Sequence, residues 1–311
     1  MNRKSYLARR EVHDFINWLI DTLPLLNVSL CVSKQGTGRG GPGAEQQVKN
    51  FRNLVDLYCW HTKWTDQNRC EVRSSDWTTT ALSLGLLQTW IKSELASDLG
   101  TERLLNVARA VAQWGGDRNP KVGMIKFVES LDDAQKYFSH SRCLLSLKSA
   151  NLSKLNDIKR MNSMLTKFHS LMSDDGLPIY DSRVAGAIGA LVEIYRQQRR
   201  LRWPAVPDAL RFRAPYRECR RQVKSLWTAN TSVVDPGVFS VSRAENSVQR
   251  ASAKIRLGWI MDAVLERNCQ LKHPILNSDI ERLDRRSQMR AIEASLFMLG
   301  FDLKCFRPML A

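Results

Sequence analysis

The sequence lacks the patterns by which proteins bind structural metals or build disulfide frameworks. Its seven cysteines lie far apart without a C-x-x-C pair, and its five histidines are scattered without an H-x-x-x-H pair. Cysteines without regular spacing are typical of reduced thiols, so we expect a cytoplasmic protein. Neither a zinc site nor an iron–sulfur site is predicted, and no metal or cofactor is expected.

Long apolar runs are also missing. None approaches the roughly eighteen residues that a membrane-spanning helix needs. The basic N-terminus is followed by Glu11-Val-His-Asp14 rather than by an apolar stretch, which argues against a secretion signal. We therefore expect no membrane association.

Acidic residues are few relative to basic ones. The 311 residues include 31 Asp and Glu against 47 Lys and Arg, which leaves a formal net charge of +16. A field of this sign attracts polyanions, so nucleic acid is the leading partner. The alternative is a basic protein without such a partner, because net charge does not define a fold.

Apolar residues recur mainly at three- and four-residue spacing, which predicts an all-α fold. Residues 28–33 are either a short strand or a loop. We expect an N-terminal segment (1–49), a helical core (50–200) and a C-terminal segment packed on that core (201–311). Three predicted helix faces are Phe15, Trp18, Leu19, Leu23 and Leu26; Leu82, Leu86, Leu87, Trp90 and Ile91; and Leu104, Val107, Ala108, Val111 and Trp114.

A glycine-rich segment occupies residues 36–43. Its G-x-G-x-x-G spacing matches the dinucleotide-binding fingerprint, but Pro42 interrupts the helix start and no strand–helix alternation follows. We interpret it as a surface loop in which Arg39 contacts a phosphate backbone.

The basic segment (residues 196–224) carries ten Lys or Arg residues and two acidic ones, and prolines interrupt its helix pattern. It is the predicted phosphate-binding region, with Trp203, Phe212 and Tyr216 as stacking groups. The alternative is a solvated basic face. Two residues that follow Trp114, namely Arg118 and Asn119, are also predicted to bind DNA. The full set of predicted DNA-binding residues is Arg39, Arg118, Asn119, Arg199, Arg200, Arg202, Arg211, Arg213, Arg217 and Arg220.

Two predicted helices bring an amine and a carboxylate together. Lys167 lies beside the apolar stripe of the first helix, so its stem can cover apolar surface while burial lowers the pKa of its amine. Asp181 begins the second helix, where it caps the N-terminus and is kept ionised by the helix dipole. A purely structural helix cap would also explain Asp181, and a lysine whose amine lies at the protein surface would also explain Lys167. The two stripes are Ile158, Met161, Met164, Leu165, Phe168, Leu171 and Met172; and Val184, Ile188, Leu191, Val192 and Tyr195.

Aromatic residues near helix ends are candidates for a pocket that holds a base. We expect Tyr180 and Arg183 at the mouth of the turn, and Trp64, Trp77 and Trp114 on the pocket walls. A flipped base is held by stacking and by hydrogen bonds to its edge. Core packing is the alternative for the tryptophans.

The segment Ser163–Leu171, the turn Asp174-Asp175-Gly176 and the run Pro178–Ala185 resemble the core of bacterial proteins with the 8-oxoguanine DNA glycosylase fold, in the helix-hairpin-helix DNA glycosylase superfamily. The resemblance implies a helical fold that flips and excises a modified base from duplex DNA. It implies Asp181 as the electrostatic or base group and Lys167, directly after Thr166, as the covalent amine with associated AP-lyase activity.

Several alternatives stay open. The excised base is either 8-oxoguanine, in repair, or a hypermodified phage cytosine such as glucosylated hydroxymethylcytosine, in anti-phage defence. A competing function is a non-catalytic DNA-binding component of a bacterial defence system. We favour a monomer, and a nuclease has no supporting motif.

Overall fold

The computed structural model describes residues 1–32, 43–97, 100–117, 123–214, 221–226, 233–240, 242–268 and 274–310. In this part of the chain the protein is mostly helical, with two small two-stranded sheets. The α-helices are α1 (Arg3–Leu7), α2 (Arg10–Thr22), α3 (Trp77–Ala96), α4 (Thr101–Trp114), α5 (Met124–Glu129), α6 (Ala134–Leu145), α7 (Ser163–Met172), α8 (Ser182–Gln198), α9 (Arg243–Asn268), α10 (Ser278–Glu281) and α11 (Arg285–Leu299). The strands are β1 (Val28–Cys31), β2 (Glu45–Val48), β3 (Thr62–Thr65) and β4 (Glu71–Ser74).

The two antiparallel hairpins refine the all-α prediction. Of the two alternatives for residues 28–33, the structure has the strand, β1, which pairs with β2 so that Val28 lies opposite Val48. The second hairpin pairs β3 with β4 and was not predicted. Each of its strands is only four residues long, too short for alternation to stand out from the surrounding pattern.

Helix α8 is buried along most of its length, and two glycines allow neighbouring backbone to approach its first turns. A Cβ at Gly186 would lie 2.9 Å from the Arg221 carbonyl oxygen, and one at Gly300 would collide with the Arg183 carbonyl. Both are closer than real Cβ atoms come to backbone. Arg221, near the end of the basic segment, and Gly300, directly after α11, therefore both pack against the first turns of α8.

Two predicted helix faces need correction. Asn162 caps α7 by accepting from the backbone N–H groups of Met164 and Leu165, so Ile158 and Met161 precede the helix, although both are buried. On α3 the side chains that pack inward are Leu84, Leu87 and Ile91, whereas Leu82 and Leu86 are 65% and 49% exposed.

The other three faces, on α2, α4 and α8, are buried as predicted, although Leu23 and Leu26 follow the end of α2 at Thr22. The α2 residues Phe15, Trp18 and Leu19 are buried, and the predicted face of α4 is buried up to Trp114, where the helix ends before Gly115. Within the described residues we find no helix with the length and apolarity required to span a membrane.

Candidate active site

A cavity of about 300 Å³ opens at the N-terminus of α8, and we call it the Lys167–Asp181 cavity. Its walls combine aromatic rings with charged groups, which is the usual composition of a ligand site. The aromatic side chains are Tyr58, Trp60, Trp77, Trp114 and Phe297. The charged ones are Lys167, Asp181, Arg183, Arg221 and Glu293.

Asp181 is both the cap of α8 and part of the cavity wall. Its Oδ1 accepts from the backbone N–H groups of Arg183 and Val184, at 2.9 and 3.2 Å. Burial raises the pKa of this carboxyl, but Lys167, Arg183 and the helix N–H groups outweigh burial and leave the pKa below its ordinary value. Asp181 is therefore a buried but ionised carboxylate.

Lys167 reaches the same cavity from α7. Gly115 makes room for its stem, since a Cβ there would lie 3.0 Å from the Lys167 Cδ. The amine donates to the Ser163 carbonyl at 3.3 Å and lies 3.7 Å from the Asp181 Oδ2. Burial lowers the pKa of this amine, and the Asp181 carboxylate opposes that shift only in part.

Glu293, on α11, is a second buried carboxyl in the cavity. Its Oε2 accepts from the Arg290 guanidinium at 2.6 Å and from the Ile179 N–H at 2.7 Å. Burial raises the pKa of Glu293, and these donors lower it only in part. Sequence reasoning missed this residue, although an acidic side chain between the apolar Ile292 and Leu296 was a usable signal.

Two arginines complete the charged lining. Arg183 stacks over the rings of Phe297 and Phe301, with its Cζ 4.2 and 4.7 Å from their centroids. Arg221 donates to the Ser182 hydroxyl at 2.5 Å, beside the capping Asp181. Both guanidinium groups therefore hold positive charge near the Asp181 carboxylate, which helps to keep it ionised.

Of the five predicted pocket residues, Trp77, Trp114 and Arg183 line the cavity, while Trp64 and Tyr180 lie elsewhere. Trp64 fills the space between β3 and α3 and donates to the Ser83 hydroxyl at 3.2 Å. Tyr180 points away because side chains alternate along this extended segment, so that its neighbours Ile179 and Asp181 face the cavity. Trp60, which belongs to the same aromatic cluster in the sequence, also lines the cavity and donates to the Trp114 carbonyl at 3.0 Å.

The predicted DNA-binding residues fall into three groups. Arg199, Arg200 and Arg202 are exposed after the end of α8. Arg211 and Arg213 are half-buried beside a second cavity. The remaining residues, Arg39, Arg118, Asn119, Arg217 and Arg220, lie outside the described residues, as does most of the glycine-rich segment.

No cluster of three or more His, Cys, Asp or Glu side chains suited to a metal occurs among the described residues. The chain matches no protein-family model, no curated protein and no solved structure.

Proposed function

We propose that the protein is a DNA N-glycosylase that flips a modified base into the Lys167–Asp181 cavity and excises it. The observation that carries this proposal is the buried ion pair: an amine and an ionised carboxylate 3.7 Å apart, at a helix N-terminus, inside an aromatic-walled cavity. The resemblance of the segments around both residues to helix-hairpin-helix glycosylases points to the same chemistry.

Cleavage of the N-glycosidic bond leaves positive charge on the sugar. A fixed carboxylate in a site shielded from water stabilises such charge far better than it would in bulk solvent. Asp181 fits this role because its Oδ1 is held by two backbone N–H groups, which leaves Oδ2 for the sugar. The helix cap therefore also orients the catalytic group.

Lys167 is the proposed nucleophile. Its lowered pKa increases the fraction of neutral amine, whose lone pair can attack the sugar carbon as the base leaves. The attack forms a carbon–nitrogen bond, and the glycosidic bond breaks with its electron pair on the base, which takes up a proton. The nitrogen then loses a proton, and its lone pair forms the imine as the bond from the same carbon to the sugar ring oxygen breaks, with that electron pair and a proton going to the ring oxygen. Water attacks instead if the enzyme is monofunctional.

The walls of the cavity suit a flipped base. Trp60, Trp77 and Trp114 offer ring faces and edges for stacking. Glu293 uses Oε2 for Arg290 and Ile179, so Oε1 is available to accept from an amino group on the base edge. The exposed Arg199, Arg200 and Arg202 are proposed to contact phosphates.

The test is release of base by the wild-type protein. Duplexes with a single 8-oxoguanine, and DNA carrying glucosylated hydroxymethylcytosine, are incubated with the protein, and free bases are identified by mass spectrometry alongside alkaline cleavage of abasic sites. Release from either DNA supports the proposal and names the substrate. Binding of both DNAs without release would instead favour a non-catalytic DNA-binding protein.

A further inference from the structure

A second cavity, of about 340 Å³, lies between the start of α2, residues 206–214 and helix α9, and we call it the arginine cavity. Arg9, Arg211, Arg213 and Arg256 line it. Tyr180 connects it to the candidate active site, because its hydroxyl donates to the Arg213 carbonyl at 3.1 Å and the next residue is Asp181.

Two of the four arginines have acidic partners. Arg9 pairs with Glu11 at 2.6 Å, and Arg211 pairs with Asp208 at 2.8 Å. These pairs balance their own charges. They leave little negative charge for the other two guanidinium groups.

Arg256 and Arg213 have no acidic ion-pair partner among the described residues. The Arg256 guanidinium is buried and donates to backbone carbonyls, including those of Ala209 at 3.2 Å and Arg211 at 3.0 Å, without an ion pair to any described carboxylate. The Arg213 guanidinium makes neither a hydrogen bond nor an ion pair with the described residues. The positive charge of Arg256 is buried without a counter-charge, which is costly, and an anion bound beside it would offset that cost.

The neighbouring groups are donors rather than carriers of negative charge. The side-chain amide of Gln249 and the hydroxyl of Ser252 also line the cavity, and Phe239 closes one wall. A further arginine, Arg250, lies with its Cζ 4.2 Å from the Phe239 centroid. Among the described residues of the lining the only carboxylate is Asp208, which is largely exposed and already engaged by Arg211.

We propose that the arginine cavity is a phosphate-binding site in which Arg213 is the direct ligand and Arg256 supplies fixed positive charge. Guanidinium forks match the geometry of phosphate oxygens, and Arg213 is the group left free to bind them. The phosphate belongs either to a DNA strand or to a free nucleotide. The proposal rests on the charges of this cavity alone and does not require base excision.

The test uses the full chain and inorganic phosphate as the probe. Phosphate is titrated by calorimetry at constant ionic strength, with chloride as the replacement anion. We expect saturable binding that Arg213→Gln weakens by about tenfold or more, because the variant cannot form the charge-assisted hydrogen bonds. Arg282→Gln, which removes an arginine that is 80% exposed on another surface, should leave binding unchanged.

Thermal stability and competition distinguish a binding role from a structural one. Without phosphate, Arg213→Gln should melt no lower than wild type, because the Arg213 guanidinium makes no hydrogen bond or ion pair with the described residues and repels Arg256. Competition then identifies the source: displacement of phosphate by an unmodified 12-base-pair duplex indicates backbone phosphate, and displacement by a mononucleotide alone indicates a free nucleotide. Binding that never saturates, or is equal in wild type and Arg213→Gln, would overturn the proposal whatever the outcome of base-release assays.

Discussion

The two cavities beside Tyr180 are both rich in charge, yet they balance it differently. In the Lys167–Asp181 cavity each buried carboxylate faces a cation: Asp181 faces Lys167, and Glu293 holds Arg290. In the arginine cavity Arg213 and Arg256 have no carboxylate within ion-pair distance among the described residues. Balanced charges with shifted pKa values suit proton and nucleophile chemistry, whereas unbalanced charge suits an anionic ligand.

The largest effect is expected from Asp181→Asn. The change removes the charge that stabilises the sugar cation, so base release should fall about a hundred- to a thousandfold. Asparagine caps helices well, so the protein should still fold and DNA affinity should stay close to wild type, while the melting temperature should fall because Lys167 loses its buried counter-charge. Release rates at saturating DNA are compared with those of Asp133→Asn, in which the exposed cap of α6 carries the same change.

An Asp181→Asn protein that releases base at the wild-type rate would leave Asp181 with its capping role alone. Loss of folding in this variant, but not in Asp133→Asn, would show that the buried charge is needed for structure.

Lys167→Ala tests whether Lys167 is the nucleophile in the same cavity. If Lys167 attacks the sugar, borohydride should trap a protein–DNA adduct in the wild type and none in Lys167→Ala. The matched control is Lys92→Ala, which removes a partly exposed amine paired with Asp174. Trapping that persists in Lys167→Ala would assign the nucleophile to another amine, and active wild type without trapping would mean that water attacks.

Lys254 provides a test of stability rather than chemistry. Its amine is fully buried and donates to Thr166 and Ser170, and burial lowers its pKa well below the ordinary 10.5. Between the folded and unfolded pKa values the unfolded state binds more protons, so the free energy of unfolding should rise with pH up to about 10.5. Denaturant titrations across alkaline pH should show a shallower rise for Lys254→Met, and an equal rise in both proteins would contradict this pKa shift.

The smallest effect is expected at the exposed end of α8. Replacing Arg199, Arg200 and Arg202 with Gln should weaken binding to all duplexes alike, and the logarithmic salt slope should become shallower by about 0.9 for each phosphate that the variant no longer neutralises. The salt slope is measured from DNA affinities at several salt concentrations, with Arg282→Gln as the charge control. An unchanged slope would make these arginines a solvated face.

The sequence predicted the local parts of the candidate site better than its long-range parts. The cap at Asp181 and the buried stem of Lys167 follow from neighbouring residues, so both could be predicted from spacing. Tyr58 and Glu293 come from segments more than a hundred residues away from this pair, and no local pattern indicates that they meet. Trp64 was wrongly placed on the pocket wall. It lies in a hairpin that was not predicted, and the packing of this hairpin on α3 brings Trp64 to Ser83 instead.

The helical elements show the same division. Periodicity was sufficient for α2 and α4, whose buried faces follow the apolar pattern. It failed on α3, where apolar residues occur around the helix and only tertiary contacts decide which ones are buried. The division into segments 1–49, 50–200 and 201–311 stays a prediction.

The proposed mechanism depends most directly on Asp181 being an ionised carboxylate inside the Lys167–Asp181 cavity. Carbon-13 NMR of the aspartate carboxyl groups, with Asp181→Asn used to assign the resonance, measures its pKa. We predict a pKa below the ordinary 3.8, because Lys167, Arg183 and the helix N–H groups outweigh burial. A pKa raised so far above that value that the proton stays bound at neutral pH would remove the charge that stabilises the sugar cation and would contradict the mechanism.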